Sequence, residues 1–172
     1  LNKIGRTYNS QEAINVINIA KKKYSNFNLD LMYGLPQQSL KDALYDLKTA
    51  IKYDPNHISW YQMTIEPNTI FYKNTPKLPH EDIIFQMFTQ GHKLLTKSGY
   101  KRYEISSYAK NHYKCQHNLN YWQFGDYIGI GCGAHGKITK KDGNIIRIIK
   151  NKNPYKFMHE KYVHTIKTIP KK

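Results

Sequence analysis

A chain of 172 residues has room for one domain of ordinary size, and 40% hydrophobic content is enough for a packed core. The formal charge of +15 admits nucleic acid, anionic lipid or an acidic ligand, but only Arg6, Arg102 and Arg147 among 27 basic residues are arginines; groove recognition favours that side chain's bidentate fork, so no specific nucleic-acid partner is expected. Two cysteines without a CxxC pair argue against an extracellular disulfide framework, and no apolar run reaches the roughly 18 residues of a spanning helix, so a cytoplasmic protein with at most peripheral membrane contact is expected. Beginning at Leu1 and stopping after Pro170, Lys171 and Lys172, the sequence reads as an excerpt of something longer.

Asn9 with Glu12 three residues on is a helix-start signal, and Ala13, Val16, Ala20 and Tyr24 then share a face, which predicts a helix over 10–24. Phe27, Leu29 and Leu31 alternate with Asn28 and Asp30 ahead of Gly34-Leu35-Pro36, the pattern of a strand with one polar face. Ser39 with Asp42 opens a second helix striped by Leu40, Leu44, Leu47 and Ile51 and stopped by Asp54-Pro55. A strand over 57–65 follows. Next comes a helix with Pro79 in its first turn, an apolar face of Ile84, Met87, Phe88, Leu94 and Leu95, and Gly99 at its C-terminal cap. A further strand is predicted over 100–107, and an isolated β-like run over 145–149 lies in the lysine-rich stretch that begins near Lys137. Regular alternation of strand and helix with short connections argues for an α/β class built of parallel βα units.

Asp30 is expected near the carboxyl end of its strand, on the face away from the helices, where parallel α/β folds place ligand sites. A carboxylate held by a lysine or a backbone amide is the plainer alternative. Arg6 could clamp a carboxylate or phosphate, or sit on the surface. His117-Asn118-Leu119-Asn120-Tyr121-Trp122 concentrates an imidazole, two amides and two large aromatics, which suits a flat aromatic ligand or the packing of a loop. Gly131 to Gly136 fits GxGxxG, yet neither an opening helix nor a later carboxylate supports a dinucleotide site, so a tight turn or close backbone approach explains it better. No Cys/His couplets have zinc spacing, and no GxSxG elbow supports a nucleophilic serine.

Gly5-Arg6-Thr7, Asp30 to Pro36, His57-Ile58-Ser59, Glu66-Pro67-Asn68-Thr69, Tyr103-Glu104-Ile105-Ser106, His117 to Trp122 and Gly129 to Gly136 occur in an order that resembles the HemW family of radical S-adenosylmethionine (SAM) proteins. The resemblance covers about residues 1–136. It implies part of a radical-SAM (β/α) partial barrel with parallel strands and outer helices, followed over 137–172 by the basic start of a C-terminal region.

Arg6 and Asp30 inherit the roles of SAM contacts from the resemblance, and Thr64 and His135 fall where the adenosyl pocket is lined. The family's CxxxCxxC motif is absent, so the ligands of its [4Fe-4S] cluster lie outside this chain. The intact HNxxYW stretch implies a heme chaperone that passes heme to heme-accepting respiratory proteins, with His117 as candidate iron ligand and Tyr121 and Trp122 as stacking partners. An oxygen-independent coproporphyrinogen III oxidase is the enzyme alternative. A polyanion-binding module after Lys137, or a degenerate remnant, stays open.

Overall fold

The computed structural model describes residues 4–160 and 164–170; Leu1, Lys171 and Lys172 lie outside them. The chain divides into two compact units, Leu1–Lys114 and Cys115–Lys172.

In the first unit, α1 (Ser10–Lys23) begins with the expected capping box, Asn9 accepting from the Glu12 amide while the Glu12 carboxylate takes the Asn9 amide. Its half-buried stripe is Ala13, Ile14, Ile17 and Ala20, whereas Val16 is 65% exposed and Tyr24 ends the helix. The predicted face is thus rotated toward Ile14 and Ile17. Strand β1 (Asn28–Tyr33) leads to α2 (Leu40–Lys52), capped by Ser39 and Asp42, and then to β2 (His57–Gln62). After the short α3 (Ile70–Lys73) comes α4 (Glu81–Lys97), whose N-cap is His80; Pro79 therefore precedes the cap instead of lying in the first turn. Gly99 adopts φ +85° just past the helix, a left-handed conformation glycine reaches without a Cβ penalty.

The expected single strand over 100–107 is two strands, β3 (Lys101–Arg102) and β4 (Ser107–Ala109), with a turn between them. Sheet order is β1-β2-β4-β3; β1 and β2 are parallel, while β4 is antiparallel to both its neighbours. It follows that β3 runs in the parallel direction expected after α4, but a returning strand is inserted beside β2. Composition explains the order: Ser107, Tyr108 and Ala109 are all buried, while the exposed Lys101 and Arg102 suit an edge. One side of the sheet packs Tyr33, Ile58, Trp60 and Tyr108 against Ala43 and Leu47 of α2 and Met87 and Leu95 of α4.

The second unit comprises α5 (Gln116–Trp122), β5 (His135–Thr139), β6 (Ile145–Lys150), α6 (Pro154–His159) and β7 (His164–Ile169). The run expected to stand alone over 145–149 is the central strand of an antiparallel sheet ordered β5-β6-β7. β5 runs through position 136, where the lysine-rich stretch suggests a change of region, because Lys137 is a buried sheet residue.

Candidate functional site

Backbone alternation gives the first unit's sheet a second face, on which Asn28, Asp30 and Met32 of β1 stand in register beside His57, Ser59 and Tyr61 of β2. Asp30 is exposed, and it is the third of six residues in β1, so it occupies mid-strand instead of the carboxyl end. Asn28 Nδ2 donates to Asp30 Oδ1 at 2.8 Å. On its other side, Asn28 Oδ1 faces His57 Nδ1 at 2.6 Å and accepts the Ser59 hydroxyl at 3.4 Å. His57 Nε2 lies 2.7 Å from the Tyr103 hydroxyl. An amide oxygen facing Nδ1 requires a proton there, which leaves Nε2 to accept from Tyr103. Burial lowers the His57 pKa against the opposing pull of Asp30 and Glu104, which agrees with a neutral ring.

Arg6 is exposed and shares the neighbourhood of Tyr61 with Asp30: burial raises the Tyr61 pKa, the Asp30 carboxylate adds to the rise, and the Arg6 guanidinium opposes it. A guanidinium and a carboxylate around one tyrosine suit a ligand that carries a carboxylate together with an ammonium or hydroxyls, as SAM does. Thr64, exposed just beyond β2, donates to Glu66 Oε1 at 3.2 Å. His135, exposed at the start of β5, belongs to the other unit.

These residues do not fit an iron-sulfur cluster. The chain has two cysteines where such clusters take mostly cysteine thiolates, and no three His, Cys, Asp or Glu side chains gather as a metal site among the described residues.

In the second unit α5 displays the aromatic stretch. His117 and Tyr121, one helical turn apart, meet edge to face with ring centroids 4.7 Å apart, and Tyr121 packs on Tyr127 at 4.8 Å. His117, Tyr121 and Trp122 are exposed, Trp122 by 58%, whereas Asn118, Leu119 and Asn120 are half-buried.

The loop behind this face is pinned. Asn120 donates to the Asp126 carbonyl at 3.1 Å, and a Cβ on Gly125 would lie 2.0 Å from Asn120 Oδ1, so only glycine lets the chain pass. Lys137, 2% exposed, donates from Nζ to the Phe124 carbonyl at 2.8 Å and to Asp126 Oδ1 at 2.7 Å, with its ammonium over the Phe124 ring. Asp126 Oδ2 accepts the Thr139 amide at 2.8 Å. The hydrogen bond from Lys137, followed by those from Thr139, holds the Asp126 carboxyl down to about 2.

The glycines of 131–136 form a turn into β5 and open no helix, so the dinucleotide match lacks its structural context. Close backbone approach lies just upstream, where a Cβ on Gly129 would stand 2.1 Å from the His135 carbonyl oxygen. The approach is to the chain's own backbone. Sequence reading gave no site role to Asn28, Asp126 or Lys137, and took His57 and Tyr103 only as landmarks; the alternation of His57, Ser59 and Tyr61 with Ile58 and Trp60 was the available signal.

No protein-family model matches the chain. It is 61% identical over its whole length to a heme chaperone HemW of Buchnera aphidicola from Acyrthosiphon pisum, of which it covers 46%. To the heme chaperone HemW of Escherichia coli it is 54% identical over 96% of its length, covering 44% of that protein, and to that of Haemophilus influenzae 52% over 99%, covering 45%. Among solved structures, the Escherichia coli coproporphyrinogen III oxidase HemN, described as a radical SAM enzyme, matches with a TM-score of 0.75 at 17% identity, over 98% of this chain and 42% of that one. The fold is therefore shared with part of HemN, and by sequence this chain, spanning under half the length of the relatives it matches, is similar over nearly its whole length to heme chaperones named HemW.

Proposed function

We propose that this chain forms part of a heme chaperone that binds heme on α5 and passes it to heme-dependent respiratory proteins, on a scaffold that also holds SAM and a [4Fe-4S] cluster ligated from outside the residues given. The observation that carries the proposal is the exposed set His117, Tyr121 and Trp122 on a helix whose following loop is fixed by Lys137 and Asp126. Two exposed aromatics supply stacking area for a flat macrocycle, and a neutral imidazole nitrogen can ligate its iron. A surface site suits cargo that must be released, and the heme-chaperone naming of relatives above 50% identity supports the same reading. Arg6 and Asp30 are assigned to SAM, with Thr64 of the same unit toward its adenosyl group.

The test is a hemin absorption titration of the chain extended to the length of its relatives, beside the same protein carrying His117→Ala. Saturation near one heme per chain, with a Soret band that shifts or weakens in the variant, is the expected result. Unchanged spectra remove His117 as ligand, and absence of saturable binding sinks the chaperone proposal. The likeness in fold to HemN favours the second reading, coproporphyrinogen III decarboxylation; SAM cleavage dependent on that substrate would establish it.

A further inference from the structure

We propose that His57 and Asn28 are positioning residues for Asp30, a relay that aims its carboxylate at SAM; the role rests on the assignment of Asp30 to that ligand. Three donors point the same way along the relay. The Tyr103 hydroxyl donates to His57 Nε2 at 2.7 Å, His57 Nδ1–H to Asn28 Oδ1 at 2.6 Å, and Asn28 Nδ2–H to Asp30 Oδ1 at 2.8 Å. Each donation polarises the next, so the chain ends with its strongest donor on the carboxylate. Turning the Asn28 amide over would set its oxygen against the Asp30 carboxylate and its NH2 against the His57 N–H, and would strip the Ser59 hydroxyl of its acceptor. The amide is therefore held in one orientation.

Burial gives this arrangement its rigidity. His57 is 3% exposed, with both ring nitrogens bonded, whereas Asn28 and Asp30 are exposed. A fixed ring inside the sheet thus determines the direction of a carboxylate at its surface. Among the described residues Asn28 is the hydrogen-bond partner of Asp30, through Oδ1, which leaves the lone pairs of Oδ2 for a ligand's donor. An unbraced carboxylate on a strand would sample several rotamers, and ordering it on binding would weaken affinity.

The test measures SAM affinity by equilibrium dialysis, with SAM itself as probe, in cluster-loaded protein of the length of the relatives. Asp30→Asn and His57→Leu should each weaken binding about tenfold. His57→Asn places an amide N–H where Nδ1 sits, so it should recover affinity to within about threefold of the parent. Both His57 variants lose the Tyr103 contact, which makes their difference a measure of the donor to Asn28 and not of packing. Should His57→Leu fail to fold, Asn28→Leu on an exposed side chain should show the same tenfold loss.

Equal weakening by the leucine and asparagine variants at His57 would overturn the relay, as would full affinity in Asn28→Leu. Loss in Asp30→Asn with none in His57→Leu overturns the positioning role and leaves the SAM assignment standing. Unchanged affinity in Asp30→Asn removes that assignment, and the relay's purpose with it. A separate readout is the ¹⁵N spectrum of the His57 ring, which should show the Nδ1–H tautomer; an Nε2–H tautomer contradicts the relay's direction.

Discussion

Leu47, Ile58, Trp60, Met87, Leu95 and Tyr108 close a continuous apolar core in the first unit, whereas among the described residues of the second no apolar side chain is buried and Lys137 occupies the interior. One unit is stabilised chiefly by removing apolar surface from water, the other by sheet hydrogen bonds and an ammonium held by a carboxylate, a carbonyl and a hydroxyl. The difference suits their surfaces. A rigid core backs the polar sheet face of Asp30, where geometry must be fixed, while the second unit leaves Tyr121, Trp122, Phe124, Ile128 and Ile130 exposed. The first unit should accordingly respond to lost volume and the second to lost charge pairing.

The largest expected effect is in the apolar core. Leu47 is fully buried between sheet and helices, so Leu47→Ala should cost about 2–5 kcal/mol through lost transfer energy and a residual cavity, read from the midpoint of urea unfolding. Overfilling should cost less. A Cβ at Gly91 would lie 2.6 Å from Trp60 Nε1, so Gly91→Ala should destabilise by about 1–3 kcal/mol as the indole is displaced. Trp60 and Trp122 are the two tryptophans, so in a Trp122→Phe background the emission reports this core directly. Unchanged emission in Gly91→Ala would show that the indole has room to spare.

The second unit sharpens the comparison by substitution at its charge. Lys137→Met keeps an unbranched apolar side chain in place of the lysine stem, loses the ammonium over Phe124 and leaves Asp126, 44% exposed, still bonded to Thr139, so the loss should be smaller than for Leu47→Ala. Asp126→Ala should be the worse change at this pair, because it leaves a buried ammonium with only neutral acceptors. Hydrogen exchange over 123–127 should quicken in both variants. Equal protection in Asp126→Ala and the parent would mean that the loop is held by other means.

Local chemistry was legible in the sequence. The capping boxes at Asn9 and Ser39, the left-handed Gly99 and the polar alternation of β1 each depend on residues within a few positions of one another. What escaped depends on distance. His57 meets Asn28 across 29 positions and Tyr103 across 46, and no spacing rule announces either pair. The insertion of β4 beside β2 turns on the burial of a three-residue Ser-Tyr-Ala segment, too short for a periodic signal. Lys137 misled for the opposite reason: a lysine beside other lysines reads as solvated surface, and only the acceptors gathered by the turn after α5 make its burial tolerable.

The smallest effects are in pH, and they run in opposite directions for the two units. Asp126 is held down to about 2, below the value near 3.9 of an unfolded aspartate, so its contribution is present above pH 4 and is lost as pH falls toward 2. Tyr100 is pushed up to about 12 by burial, and its hydroxyl donates to the Pro55 carbonyl at 2.7 Å. Above pH 10 the unfolded chain releases that proton while the folded one retains it, so the first unit should lose stability between pH 10 and 12. The Thr139 amide resonance should follow the acid limb and Trp60 emission the alkaline one, with Asp126→Asn flattening the former and Tyr100→Phe the latter. An acid limb that survives Asp126→Asn would assign the loss to other carboxylates and remove the basis for calling the second unit charge-held.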